Sequence, residues 1–100
     1  MIRGTTPTLE FELPFSSDEI SICSIALSQR DEVIIEKKLE DCQTDGNMLR
    51  CTLTEKETLL LDCDYGVVEI QVRLKCGNRA LASDIIQMSV GRILKDGCLE

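Results

Sequence analysis

The sequence predicts an all-β chain folded as an antiparallel sandwich of about seven strands, with one short helical crossover near residues 55–60. Three observations carry that reading. Residues 67–75 alternate strictly: Val68, Ile70, Val72 and Leu74 stand against Glu69, Gln71, Arg73 and Lys75, the period of two that a strand with one dry and one wet face requires. Apolar runs of strand length recur at roughly ten-residue spacing with turn signals between them. The chain also lacks the regular exchange of helical and extended stretches that a parallel sheet needs.

Each element follows in order. Residues 1–7 read as a loose arm ended by Pro7. Leu9, Phe11 and Leu13 alternate with Glu10 and Glu12 in a short strand that Pro14 closes, and Ser16-Ser17-Asp18 is turn chemistry. Residues 20–28 form an Ile-rich second strand. Its Ile20 and Ile22 point one way and Cys23, Ile25 and Leu27 the other; a bulge or a late start near Ser21–Cys23 reconciles the two sets. Gln29-Arg30-Asp31 turns the chain. Residues 32–39 give a third strand with Val33, Ile35 and Leu39 on one face. Its Glu, Lys and Leu also suit a short helix, and the β-branched run at 33–35 tips the reading to strand.

Thr44-Asp45-Gly46-Asn47 is a turn, followed by a fourth strand over 48–53. Thr54 with Glu57 three residues later is a capping box, which satisfies two otherwise orphaned amide donors at a helix start. Only about one turn fits before Leu59-Leu60-Leu61, hence a short crossover. Asp64-Tyr65-Gly66 leads into the alternating strand, and Gly77-Asn78 suits a tight hairpin. A two-residue loop sets Ile70 opposite Ile85 and Val68 opposite Gln87. A three-residue loop sets Ile70 opposite Ile86 and Val68 opposite Met88, but Val72 opposite Asp84. A bulge near Ser83–Asp84 serves both halves. A helix over 80–90, resting on Leu81, Ile85 and Met88, competes; the β-branched Ile85, Ile86 and Val90 and the interrupting Gly91 oppose it. Residues 92–98 form a tail with Asp96-Gly97 as a stop, and Leu99-Glu100 read as a cloning scar. The domain is therefore expected to span 1–98.

A chain of 100 residues can bury one modest core. Apolar residues make up 43% and aromatics only 3%, so that core is built from Leu, Ile and Val rather than rings. Lys and Arg number 11 against 18 Asp and Glu, a net charge of −7. That balance opposes nucleic-acid and anionic-membrane binding, both of which need a basic surface. No apolar run approaches the roughly 20 residues of a membrane span, and the N-terminus has no signal-peptide h-region, so a cytoplasmic location, at least until any assembly step, is expected.

The six cysteines have no C-x-x-C spacing, which opposes a zinc knuckle or redox motif. Cys23 and Cys51 fall in phase with apolar neighbours and read as small buried hydrophobes, whereas Cys63, Cys76 and Cys98 fall at element ends. The chain has no His, which removes the commonest general base, the commonest metal ligand and every Ser–His or Cys–His pair. Glu10 and Glu12 share a strand face and read as a solvated face rather than a catalytic carboxylate pair. Asp62 and Asp64 lack the Gly and closing Glu of a calcium loop. The glycines are scattered turn residues, not a phosphate loop. No catalytic, cofactor-binding or metal-binding residue is therefore assigned.

The stretches MIRGTTPTLEFELPF, LTEKET, VEIQVRL and ALASDII, in that order, resemble small β-sandwich proteins encoded in the virion operons of tailed phages and prophages of Gram-positive bacteria. Baseplate-upper and adaptor-like immunoglobulin-type modules are the nearest comparison. The likeness covers nearly the whole chain, although the Cys-Trp-Cys core signature of immunoglobulin domains is missing. It implies an immunoglobulin-like sandwich with a structural or assembly role and no active site. The expected partners are other virion proteins or a second copy, docked through a sheet edge and the N-terminal arm. The competing expectation is a small carbohydrate- or ligand-binding module, which would want an aromatic platform that three aromatic residues hardly supply.

Overall fold

Alternation along the chain becomes pairing in two antiparallel sheets. A computed structural model describes residues 1–95 and Gly97. The expected stop at Asp96, together with Cys98 and the pair Leu99-Glu100, lies outside the described residues. The strands are β1 (Thr8–Glu12), β2 (Ile22–Gln29), β3 (Glu32–Lys38), β4 (Cys42–Asp45), β5 (Met48–Thr52), β6 (Val67–Cys76), β7 (Arg79–Ala82) and β8 (Ile86–Ser89), with the helical turn α1 (Glu55–Leu59) between β5 and β6. One sheet has the order β1-β5-β4. The other has the order β3-β2-β6, with β7 and β8 sharing the far side of β6. This is the order B-E-D against C′-C-F-G of an immunoglobulin-type sandwich, with α1 at the E–F crossover. The all-β sandwich expected from the sequence is the fold observed.

Leu9, Leu49 and Cys51 of the first sheet and Cys23, Ile25, Leu27, Val68 and Ile70 of the second belong to one buried cluster. Each aliphatic side chain withdrawn there from water contributes about 1.5–3 kcal/mol before entropy is counted. The wet face of β6 carries Glu69, Gln71, Arg73 and Lys75, as the alternation requires.

Several details differ from the reading of the sequence or resolve its alternatives. The described residues form eight strands where about seven were expected, because Cys42–Asp45 pairs with β5 despite a polar composition that reads as turn and the stretch 80–90 contributes two strands. The stretch 80–90 is extended, not helical, and is split in two. Cys76 pairs with Arg79 across a two-residue loop, whereas Ile70 pairs with Ile86 and Val68 with Met88. The register thus changes by one residue at Ser83–Asp84, where a bulge was expected. Ser83 supplies the missing ladder contacts: its amide donates to the Val72 carbonyl at 2.8 Å and its Oγ accepts from the Val72 amide at 3.0 Å. Gln71 Nε2 donates to the Ser83 carbonyl at 3.0 Å, so one wet-face residue of β6 holds this bulge.

In β2 the late start is realised. Ile20 is buried before the strand begins, and Ile22 is exposed within it. In β3 the expected face of Val33, Ile35 and Leu39 is broken. Leu27 pairs with Ile35 but Ser28 with Val33, so Ile34 is the extra residue of a bulge and Val33 turns out to solvent. Beyond the bulge, Ile35 and Lys37 face inward.

Residues 1–7 do not hang loose. The Met1 ammonium donates to the Ser89 carbonyl at 2.7 Å, the Gly91 amide to the Met1 carbonyl at 2.7 Å, and the Arg3 amide to the Gly91 carbonyl at 3.0 Å. Ile2 bridges Gly91 in parallel. The Thr58 hydroxyl, fully buried, donates to the Thr5 carbonyl at 2.8 Å and accepts from the Thr5 amide at 3.1 Å. The sequence gives no hint of this clasp because its partners lie more than fifty residues away.

Candidate docking edge

The two sheets have four edges: β1 and β4 in the first sheet, β3 and the β7–β8 pair in the second. An edge exposes a row of unpaired amides and carbonyls, and native sheets commonly blunt it. Three of these edges are blunted. β3 carries a bulge at Ile34 and the charges of Glu32, Glu36 and Lys38; the β7–β8 edge is broken at Ser83–Asp84; β4 is four residues long and polar.

The fourth, β1, is regular. It pairs with β5 in unbroken register from Thr8↔Thr52 to Glu12↔Met48. Its inward residues are Leu9 and Phe11, followed by Leu13, and its outward residues are Glu10 and Glu12. Beside it the sandwich is open. Phe11, Leu13 and Phe15 on one side and Val72, Leu74, Leu81 and Ile86 on the other line a mainly apolar groove of about 520 Å³, which Glu10, Glu12 and Ser83 also border. The groove exists because the N-terminal clasp closes the gap between the sheets only near Ser89–Gly91, leaving the end beside Glu10–Phe15 uncovered. Phe15 is seated there by the short turn before β2, where the Ser17 amide donates to the Gly46 carbonyl and the Leu13 amide to the Asn47 carbonyl, both at 2.7 Å.

Glu10 and Glu12 are both exposed. Glu10 shares an ion pair with Arg50 on β5 at 3.3 Å, while Glu12 has no ion pair among the described residues. The Asp62 carboxylate accepts from the Asp64 amide and pairs with Arg30 at 2.6 Å, and this hydrogen bond from Arg30 holds its pKa below the usual carboxylate value. Arg30 also lies over the Tyr65 ring, 4.9 Å from its centre. The clamp fixes a tight β2–β3 turn in which Arg30 and Asp31 both adopt positive φ, 52° and 61°. Gln29, buried at the end of β2, completes the same corner. Its Nε2 donates to the Asp62 and Val67 carbonyls and its Oε1 accepts from the Asp62 amide.

An ion pair and three cysteines lie within the fold. Lys37 Nζ meets Glu57 Oε1 at 2.6 Å, with the side chains 10% and 24% exposed. Burial alone would lower the Lys37 pKa, but the hydrogen bond and charge of Glu57 outweigh it and hold the ammonium above its ordinary value. Burial alone would raise Glu57; the bonds from Lys37 and from the Thr54 amide outweigh that and lower it. Glu57 closes the capping box foreseen with Thr54, whose Oγ1 accepts from the Glu57 amide at 3.1 Å. The Lys37 pairing is not apparent in the sequence, where a lysine in an alternating strand reads as outward-facing.

Cys23 and Cys51 are buried, as their phase implies, and Cys42 stands opposite Cys51 across the β4–β5 ladder. Burial, then the neighbouring Cys42, pushes the Cys51 thiol up to about 12, and burial is also the largest cause of the raised values of Cys23 and Cys42. Such thiols are poor nucleophiles near neutral pH. Among the described residues no group of three or more Cys, Asp or Glu could hold a metal ion, and no helix is long and apolar enough to cross a membrane.

No protein-family model, curated protein or solved structure matches the chain.

Proposed function

We propose that this chain is a non-enzymatic structural or assembly protein of a tailed phage or prophage, and that it works by docking a partner protein along the free edge of β1. The observation that carries the docking reading is the coincidence of an edge in continuous, unbulged register with an apolar groove at one site. Backbone groups along such an edge supply affinity, and a groove that takes alternate side chains supplies specificity. The virion setting rests on the sequence likeness of MIRGTTPTLEFELPF, LTEKET, VEIQVRL and ALASDII to virion-operon sandwiches. The N-terminal arm is engaged within its own domain, so docking falls to the edge alone.

The test is co-expression with the proteins encoded beside this chain, using a photo-crosslinking residue in place of Glu12. Crosslinks to a tail or baseplate protein, with co-elution on size exclusion, are the expected result. Neighbouring genes of a purely metabolic kind would remove the virion setting. Crosslinks that avoid β1 in an otherwise stable complex would remove the edge.

A further inference from the structure

We infer that the β1 groove receives an extended segment of a different protein, one whose side chains alternate between apolar and basic. The inference rests on the edge-docking reading and adds the chemistry of the partner. A strand laid beside β1 would place every second side chain over Phe11 and Leu13, in the groove, and the intervening ones beside Glu10 and Glu12 on the outer face. The inward positions demand apolar groups, because the groove walls are Leu74, Leu81 and Ile86. The outward positions demand cations, because Glu12 has no ion pair among the described residues and the half-exposed Glu10 has only Arg50, on a chain of net charge −7.

The same pattern disfavours a second copy. Two β1 strands paired antiparallel about Phe11 would set Glu10 of each against Glu12 of the other, and like charges directly opposite destabilise a ladder. The acidic edge thus admits a basic partner strand while rejecting its own copy, the charge device by which exposed edges avoid self-association.

Two dye-labelled peptides of reversed charge, Thr-Lys-Val-Lys-Val-Lys-Thr and Thr-Glu-Val-Glu-Val-Glu-Thr, titrated against the intact chain by fluorescence anisotropy at low salt, test this. The basic peptide is expected to bind about tenfold tighter than the acidic one, and methylating its alternate backbone amides to abolish binding. Glu12→Lys, which removes no ion pair or side-chain hydrogen bond among the described residues, is expected to weaken the basic peptide about fivefold. Equal binding of the two peptides, or no binding of the basic one, overturns the inference. So does a wild-type dimer in sedimentation crosslinked through β1. These outcomes are separate from the proposed function: virion partners crosslinked at β1 through a neutral or acidic segment would leave edge docking standing and remove only the basic partner.

Discussion

Replacing Lys37 with Met removes one partner of a nearly buried ion pair while keeping most of the volume. At 2.6 Å the two unit charges attract by about 6 kcal/mol for an effective dielectric of about 20. Most of that is cancelled by taking both groups out of water. After the change, Glu57 keeps the Thr54 amide and, being 24% exposed, regains some water. The cost therefore falls between the roughly 0–1 kcal/mol of a surface pair and the 3–5 kcal/mol of a fully buried one, at about 2 kcal/mol. In a domain of this size that lowers the melting temperature by about 10 °C.

The pH dependence follows from the two shifts. Glu57 is held below its ordinary 4.5, so its contribution is present above that value and fades as pH falls through the lower folded value. Lys37 is held above its ordinary 10.5, so its contribution is present below that value and fades as pH rises through the higher folded value. Calorimetry of both proteins across pH should thus show a constant gap between the two ordinary values that narrows at more acidic pH. A loss under about 2 °C at neutral pH, or a gap that does not narrow in acid, would refute the argument.

Gln29→Leu strips three hydrogen bonds from a buried corner and leaves the Asp62 amide unmet, which should cost about 2–3 kcal/mol in chemical denaturation. Asp31→Gly relieves a positive φ of 61° at the second position of the β2–β3 turn, and after the entropy cost of glycine it should stabilise the protein by about 0.5 kcal/mol; a lower melting temperature would contradict that turn geometry. With a thiol-specific reagent near neutral pH, the partly exposed Cys63 and Cys76 should react early, while Cys23 and Cys51 stay unmodified until the protein is unfolded; prompt labelling of all four in the native state would contradict their burial.

Local chemistry made much of the fold legible. The alternation of β6, the capping box at Thr54 and Glu57 and the two incompatible registers around Ser83 are all written within short windows, and each appears in the structure. The misreadings share one cause, the choice of partners far along the chain. Val33 leaves the core only because β3 carries one residue more than β2 can match. Lys37 turns inward only because Glu57, twenty residues on, is there to neutralise it. Cys42–Asp45 is a strand by virtue of β5 and not of its own propensity. The proposed docking edge is half visible in the sequence. The outward pair Glu10 and Glu12 is plain in the sequence, but the groove behind it depends on which strands β7 and β8 leave uncovered.

The parallel clasp between residues 1–3 and 89–91 has a mechanical consequence. Because the two segments run in the same direction, a tension pulling the ends of the domain apart drags them past one another. The few short bonds of the clasp are then strained together in shear instead of peeling open in turn. A domain strung between neighbours in a stretched assembly would resist until the whole clasp gave way at once, and β6 to β8 would feel the force only afterwards.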